Sequence, residues 1–332
     1  MLRKVSAVVL GGVLVAATLA ACGGEGSRNS GGGAAAGKDD GKIVMGFSQV
    51  GAESGWRTAN TKSVQESAED AGIELKFSDA QQKQENQIKA IRTFISQKVD
   101  IIAFSPVVES GWDTVLKEAK DAGIPVILTD RAVDSPDKTL YKTFIGSDFV
   151  VEGNKAGEWV KKEFASAPGP VNMVELQGNT GAAPAIDRKE GFASVLGSDP
   201  KFKMLASQPG DFTRVKGKEV MEAFLRANKD IDLLYAHNDD MGLGAIEAIE
   251  AAGKKPGVDI KIVTVDAVKD GMQALADGKI NFIVECSPLL GPQLMELAKK
   301  VVAGETVPAR VLTEETTFTQ EQAKAALPDR KY

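Results

Sequence analysis

Short apolar runs alternate with longer amphipathic stretches along most of this chain. The runs at residues 43–48, 74–77, 100–104, 126–128 and 143–145 read as strands. A second series follows at 172–176, 203–205, 232–235, 261–265 and 281–285. Between them, Ile88, Ile91, Ile95 and Val99 recur at helical spacing, and Val220, Met221, Phe224 and Leu225 form another such stripe. Gly72, Gly123 and Gly253 stand where helices would end. A residue after a helix often turns left-handed, which glycine does without a Cβ clash.

Strand–helix alternation predicts βαβ units and parallel sheets. The pattern restarts near residue 170, so the expected fold is α/β, with two doubly wound parallel-sheet lobes. Ligands of open parallel sheets sit beyond the carboxyl ends of the strands. Two lobes facing each other would therefore form a cleft walled by strand ends.

The start of the chain follows a different pattern. Arg3 and Lys4 precede an apolar run from Val5 to Leu19, as in a secretory signal peptide. The run is shorter than the ~20 residues of a membrane-spanning helix. Its end, Leu19-Ala20-Ala21-Cys22, resembles the lipobox of bacterial lipoproteins. That resemblance implies cleavage after residue 21, lipidation of the Cys22 thiol, and a protein held on the outer face of the cytoplasmic membrane. Residues 23–41 contain nothing apolar larger than alanine and read as a flexible tether spanning roughly 20–25 Å.

Residues 22–332 suffice for two ordinary domains. The net charge of −6 is mixed in sign along the chain, and no basic patch is interleaved with aromatics. Nucleic acid is therefore a poor partner. With Cys22 lipidated, Cys286 has no cysteine to pair with. His237 is the sole histidine and sits beside Asp239 and Asp240, adjacent positions that rarely converge on one ion. No metal, cofactor or catalytic residue is expected.

The strand ends carry the chemistry. Trp56 and Arg57 follow the first strand in a Gly-rich loop, where a flat aromatic can stack on a sugar ring. Asp130 and Arg131 follow the fourth, an acceptor beside a forked donor that suits adjacent hydroxyls. Arg188, Phe212, Asn238 and Asp266 follow the ends of the second series, with Glu285 closing its last strand. Asp130 with Arg131, and Asp187 with Arg188, would keep the pocket near neutral. Asp239 or Asp240 reads as a helix N-cap. Gln81 and Gln82 are the members of their polar run best placed to reach the cleft.

The segments 46–57, 81–90, 174–178, 186–189, 210–214 and 235–241 together resemble the sugar-binding proteins of bacterial ABC importers, the type I two-lobe periplasmic binding proteins. The resemblance implies lobes joined by a hinge, one from 42–146 plus about 287–312, the other from 147–286 plus about 313–332. It implies a site lined by Trp56, Arg57, Asp130, Arg131, Arg188, Phe212, Asn238 and Asp266, with Glu285 near a further polar position. It also implies capture of a neutral monosaccharide, galactofuranose-like or related, by hinge closure, and delivery to an inner-membrane ABC permease by a monomeric receptor. A sensory co-receptor would use the same head. A hydrolase would need a carboxyl with raised pKa in an apolar setting, which is not evident. A repressor would need a DNA-binding segment where the leader and tether stand.

Overall fold

A computed structural model describes residues 41–332. The leader, Cys22 and the tether up to residue 40 lie outside the described residues. The first series of elements comprises β1 (Val44–Gln49), α1 (Gly55–Asp70), β2 (Glu74–Asp79), α2 (Gln84–Ser96), β3 (Ile101–Phe104), α3 (Asp113–Asp121), β4 (Val126–Thr129) and β5 (Thr143–Gly146). The second comprises α4 (Phe149–Glu163), β6 (Val171–Gln177), α5 (Ala183–Leu196), β7 (Phe202–Pro209), α6 (Arg214–Ala227), β8 (Leu233–Ala236), α7 (Asp239–Ala251), β9 (Lys261–Asp266), α8 (Lys269–Ala276) and β10 (Phe282–Glu285). After these come α9 (Gly291–Val302), β11 (Arg310–Leu312), β12 (Thr317–Phe318) and α10 (Gln320–Ala326).

The strands form two six-stranded sheets, ordered β11-β5-β4-β3-β1-β2 and β12-β10-β9-β8-β6-β7. All pairings are parallel except β12 with β10. The two orders are one plan used twice. The expected strands recur with slightly different ends, but each sheet gains a sixth strand absent from the sequence reading. β11 and β12 are short and partly exposed, so they lack the apolar run that marks a buried strand.

Strands covered on both faces explain the continuous apolar runs. Ile101 and Ala103 of β3 pack into one apolar cluster, while Ile102 and Phe104 pack into the cluster on the opposite face. β8 does the same, with Leu233 and Tyr235 on one side and Leu234 and Ala236 on the other. Ile91, Met221 and Phe224 are buried where their helical spacing placed them. Gly72, Gly123 and Gly253 have φ of +69°, +75° and +75° just after α1, α3 and α7.

The chain passes between the sheets after β5, after β10 and after β11. One carboxylate fastens all three passages. Glu315 accepts from the Ser147 hydroxyl, from Ser287 N at 3.0 Å and from Thr313 Oγ1 at 2.8 Å.

Helices in the second half approach closely through glycines. A Cβ on Gly153 of α4 would lie 2.3 Å from Arg188 O, and one on Gly191 of α5 would lie 2.1 Å from Val150 O. Because Arg188 carries a candidate site side chain, this contact also sets where that side chain starts. Gly191→Ala should lower stability by about 1–3 kcal/mol through overpacking, despite alanine's better helix propensity. Urea unfolding would measure it, and a midpoint at or above the wild type's would show that α4 and α5 separate freely.

Candidate functional site

The carboxyl ends of both sheets face one small cavity. Eight of the nine expected residues line it: Trp56, Arg57, Asp130, Arg131, Arg188, Phe212, Asn238 and Asp266.

On the first wall, Ser54 caps α1 by accepting from Arg57 N at 3.1 Å, which places Trp56 and Arg57 in the opening turn. Arg57 donates through Nε to Glu53 at 3.0 Å and through Nη2 to Asp130 at 2.6 Å. Asp130 follows β4 with φ of +61°. Its turn crowds Gly146 so closely that a Cβ there would lie 2.9 Å from Asp130 O. Ser105 Oγ donates to the same carboxylate at 3.0 Å. Arg131 donates to Glu53 at 3.2 Å and lies 3.7 Å from Asp130. Asp130 therefore pairs primarily with Arg57, and Arg131 primarily with Glu53. The Trp56 indole donates to Cys286 O at 2.7 Å, and the Arg57 guanidinium stands 4.6 Å from the ring centroid.

On the second wall, Arg188 donates to Glu152 at 2.7 Å and to His237 O at 2.6 Å, and lies 3.8 Å from Asp266. The expected pairing with Asp187 is thus replaced. On an α-helix, adjacent residues point in different directions, and Asp187 does not line the cavity. Asn238 is the N-cap of α7, accepting from Met241 N at 3.0 Å, while its amide donates to Phe212 O at 3.1 Å. That corrects the assignment of the cap to Asp239 or Asp240. Asp239 instead accepts from Thr264 Oγ1 and from Val268 N at 2.8 Å. The Phe212 ring fills the space over Gly178, where a Cβ would lie 1.9 Å from its Cζ. The Arg131 guanidinium sits 5.2 Å from the Phe212 ring centroid.

Glu285 does not line the cavity. Its carboxylate accepts from Arg330 at 2.8 Å and from Tyr332 Oη at 3.0 Å, on the far side of the strand end. Successive strand residues point to opposite sides, and Cys286 takes the lining position instead. Glu53, Ser54 and Pro184 also line it and were not anticipated. Glu53 had a signal in its spacing of four from Arg57 on the chain. Cys286 is buried and free, and its thiol lies 3.3 Å from Ser147 Oγ.

The lining holds Arg57, Arg131 and Arg188 against Glu53, Asp130 and Asp266. Burial, then the Arg57 charge, lowers the pKa of Arg131 to about 10. Burial pushes Asp266 well above the usual carboxylate range, with Arg188 pulling the other way. The result is a buried set of directed donors and acceptors with aromatic faces, chemistry suited to a polyhydroxyl ligand. The walls also touch directly. Gly55 N donates to Asp240 at 2.7 Å, Asn179 to Gln82 at 3.2 Å, and Glu109 N to Gly181 O at 2.9 Å.

A family model for the periplasmic binding protein domain matches residues 45–306. The galactofuranose-binding protein YtfQ of Escherichia coli K12 is 49% identical over 87% of this chain and 92% of its own length. A crystal structure from Mycobacterium smegmatis, in complex with β-D-fucofuranose, is 67% identical with a TM-score of 0.86, covering 87% of this chain and 95% of that one. The binding component of the arabinose ABC transporter from Shewanella sp. ANA-3, bound to α- and β-L-arabinofuranose, is 49% identical with a TM-score of 0.84, covering 87% and 96%.

Behind Arg188, burial pushes Glu152 from 4.5 up to about 8, against the pull of the guanidinium. A carboxyl so shifted holds its proton more tightly in the folded state. Its contribution to stability is complete below about pH 4.5 and is lost as pH rises through about 8. Glu152→Gln should therefore flatten the decline in unfolding free energy across that window. Identical slopes for variant and wild type in pH-dependent urea titrations would place the proton on another group.

Proposed function

The chain belongs to the periplasmic binding protein domain family, and we propose that it is the solute-binding protein of an ABC sugar importer, taking a neutral monosaccharide in its furanose form. The observation that carries this reading is the buried lining of three guanidinium groups set against three acidic side chains, with Trp56 and Phe212 among them. Fixed donors and acceptors can hold hydroxyls in defined directions, while aromatic faces cover the C–H side of a ring. The furanose form is supported by the galactofuranose-binding protein and by the two relatives solved with furanose sugars bound.

Contacts from both walls mean that a ligand favours the arrangement in which the walls meet. The bodies that move would be residues 42–146 with about 287–312 and 147–286 with about 313–332. The enclosing geometry, with Asp240 on Gly55 N and Gln82 on Asn179, is the state the sugar selects. Cys22 would carry the lipid that holds the receptor outside the cytoplasmic membrane, near its permease. A tether keeps local concentration high without adding a contact, and one acyl chain alone anchors only marginally.

Titration calorimetry with D-fucose, L-arabinose and D-galactose tests the reading, since each supplies a furanose fraction in solution. The wild type should bind at least one of them. Asp130→Ala should weaken that affinity by about 100-fold or more with circular dichroism unchanged, because it leaves a buried guanidinium half-paired. Wild-type affinity in the variant would remove Asp130 from the site, and no heat from any sugar would remove the function. Independently, Cys22→Ser should shift the protein from the membrane fraction to the soluble fraction of its host. Membrane retention of that variant would rule out the lipid anchor.

A further inference from the structure

Asp266 and Ala267 follow β9 with φ of +121° and +68°. Residues with a Cβ adopt such backbone rarely, and it persists only where the surroundings hold it. The turn matters because the Asp266 side chain lines the cavity. On one side it is held by Asp239, which accepts from Val268 N at 2.8 Å. On the other it is held by the segment that follows α10.

Arg330 Nε donates to Ala267 O at 2.6 Å, and Nη1 donates to Glu285 Oε1 at 2.8 Å. Nη2 donates to Tyr332 Oη, which in turn donates to Glu285 Oε1 at 3.0 Å. The guanidinium lies 4.0 Å from the Tyr332 ring centroid and 5.3 Å from that of Phe318. Its side chain is 10% exposed, so these bonds are poorly screened by water. Glu285 is the strand neighbour of Asp266 in the β9–β10 register, and Cys286 N donates to Asp266 O at 3.2 Å. The clamp thus grips both strands at the point where they end in the cavity.

We propose that Arg330 is a positioning residue for sugar binding: by holding Ala267 O and Glu285 together it keeps the Asp266 carboxylate in the cavity. The inference rests on the sugar-site reading given above. Without Arg330, the Ala267 carbonyl loses its charged donor and the peptide can relax toward ordinary φ. Asp266 then occupies its binding position for only part of the time, and apparent affinity falls by that fraction. Glu285 acts in the clamp rather than on the ligand.

The test uses the full chain, with D-fucose, L-arabinose and D-galactose as probes in calorimetry and thermal unfolding without sugar as the control. Arg330→Ala should raise the Kd about ten-fold, corresponding to a competent fraction near one tenth. Arg330→Lys should recover only part of the loss, because an ammonium cannot span both acceptors as the fork does. A purely structural clamp would lower the sugar-free midpoint and leave Kd at the wild-type value, and that result overturns the proposal. If Arg330→Ala does not fold, Arg330→Lys carries the test, and wild-type Kd in that variant overturns it. A wild-type protein that binds none of the three sugars instead overturns the sugar-site reading, and this inference with it.

Discussion

Three guanidinium groups buried in one cleft impose the main constraint on this molecule. Arg57, Arg131 and Arg188 are each 3% exposed or less, and a buried charge without a partner costs several kcal/mol. Each finds its acidic partners within its own half: Arg57 and Arg131 with Glu53 after β1 and Asp130 after β4, and Arg188 with Glu152 on α4 and Asp266 after β9. Each wall therefore settles its own buried guanidinium groups, and the walls meet through other contacts, Gly55 N with Asp240 and Asn179 with Gln82. Such ion pairs add little net stability compared with an apolar core. What they supply is a set of donors and acceptors whose directions are fixed before a ligand arrives.

The two sheets share one topology, yet the cleft they build is not symmetric. Gln81 and Gln82 after β2 have φ of +52° and +59°, and Asp211 and Phe212 after β7 have φ of +54° and +59°. The same turn thus occurs at equivalent places in both halves. In one half it presents Gln82 to Asn179 across the gap, and in the other it lays an aromatic ring against Gly178. Asp130 and Asp266 show the same pattern after β4 and β9, each with positive φ and each aimed into the cavity. Shared backbone geometry sets where side chains emerge, while the residues at those places set what each wall offers.

Much of this was legible in the order of residues. Apolar runs such as Ile101–Phe104 are buried on both faces, and their shortness and alternation with amphipathic stretches marked them as strands. Polar residues immediately after such runs, Asp130 and Asp266 among them, had to lie at strand ends. The unread parts have physical reasons. β11 and β12 pair through backbone at a sheet edge, which demands little of their side chains. Glu285 and Cys286 differ by one step of the pleat, and a one-residue uncertainty exchanges the two sides of a strand. Arg188 chose Glu152 over its neighbour Asp187 because a helix turns adjacent residues apart, and the helix that carries Glu152 packs against its own. That choice depends on tertiary packing and leaves no local trace.

Cys286 is buried with a free thiol, and no disulfide joins the described residues. Among the described residues folding thus involves no disulfide, and the fold is held by packing, ion pairs and hydrogen bonds. Its speed of assembly is set by topology. Phe144 must find Arg310 to seat β11, and Val284 must find Thr317 to seat β12. Pairings between distant positions are slow to close, so the β11 edge, whose partner strand β5 lies farthest away along the chain, is expected to form after the central strands of its sheet.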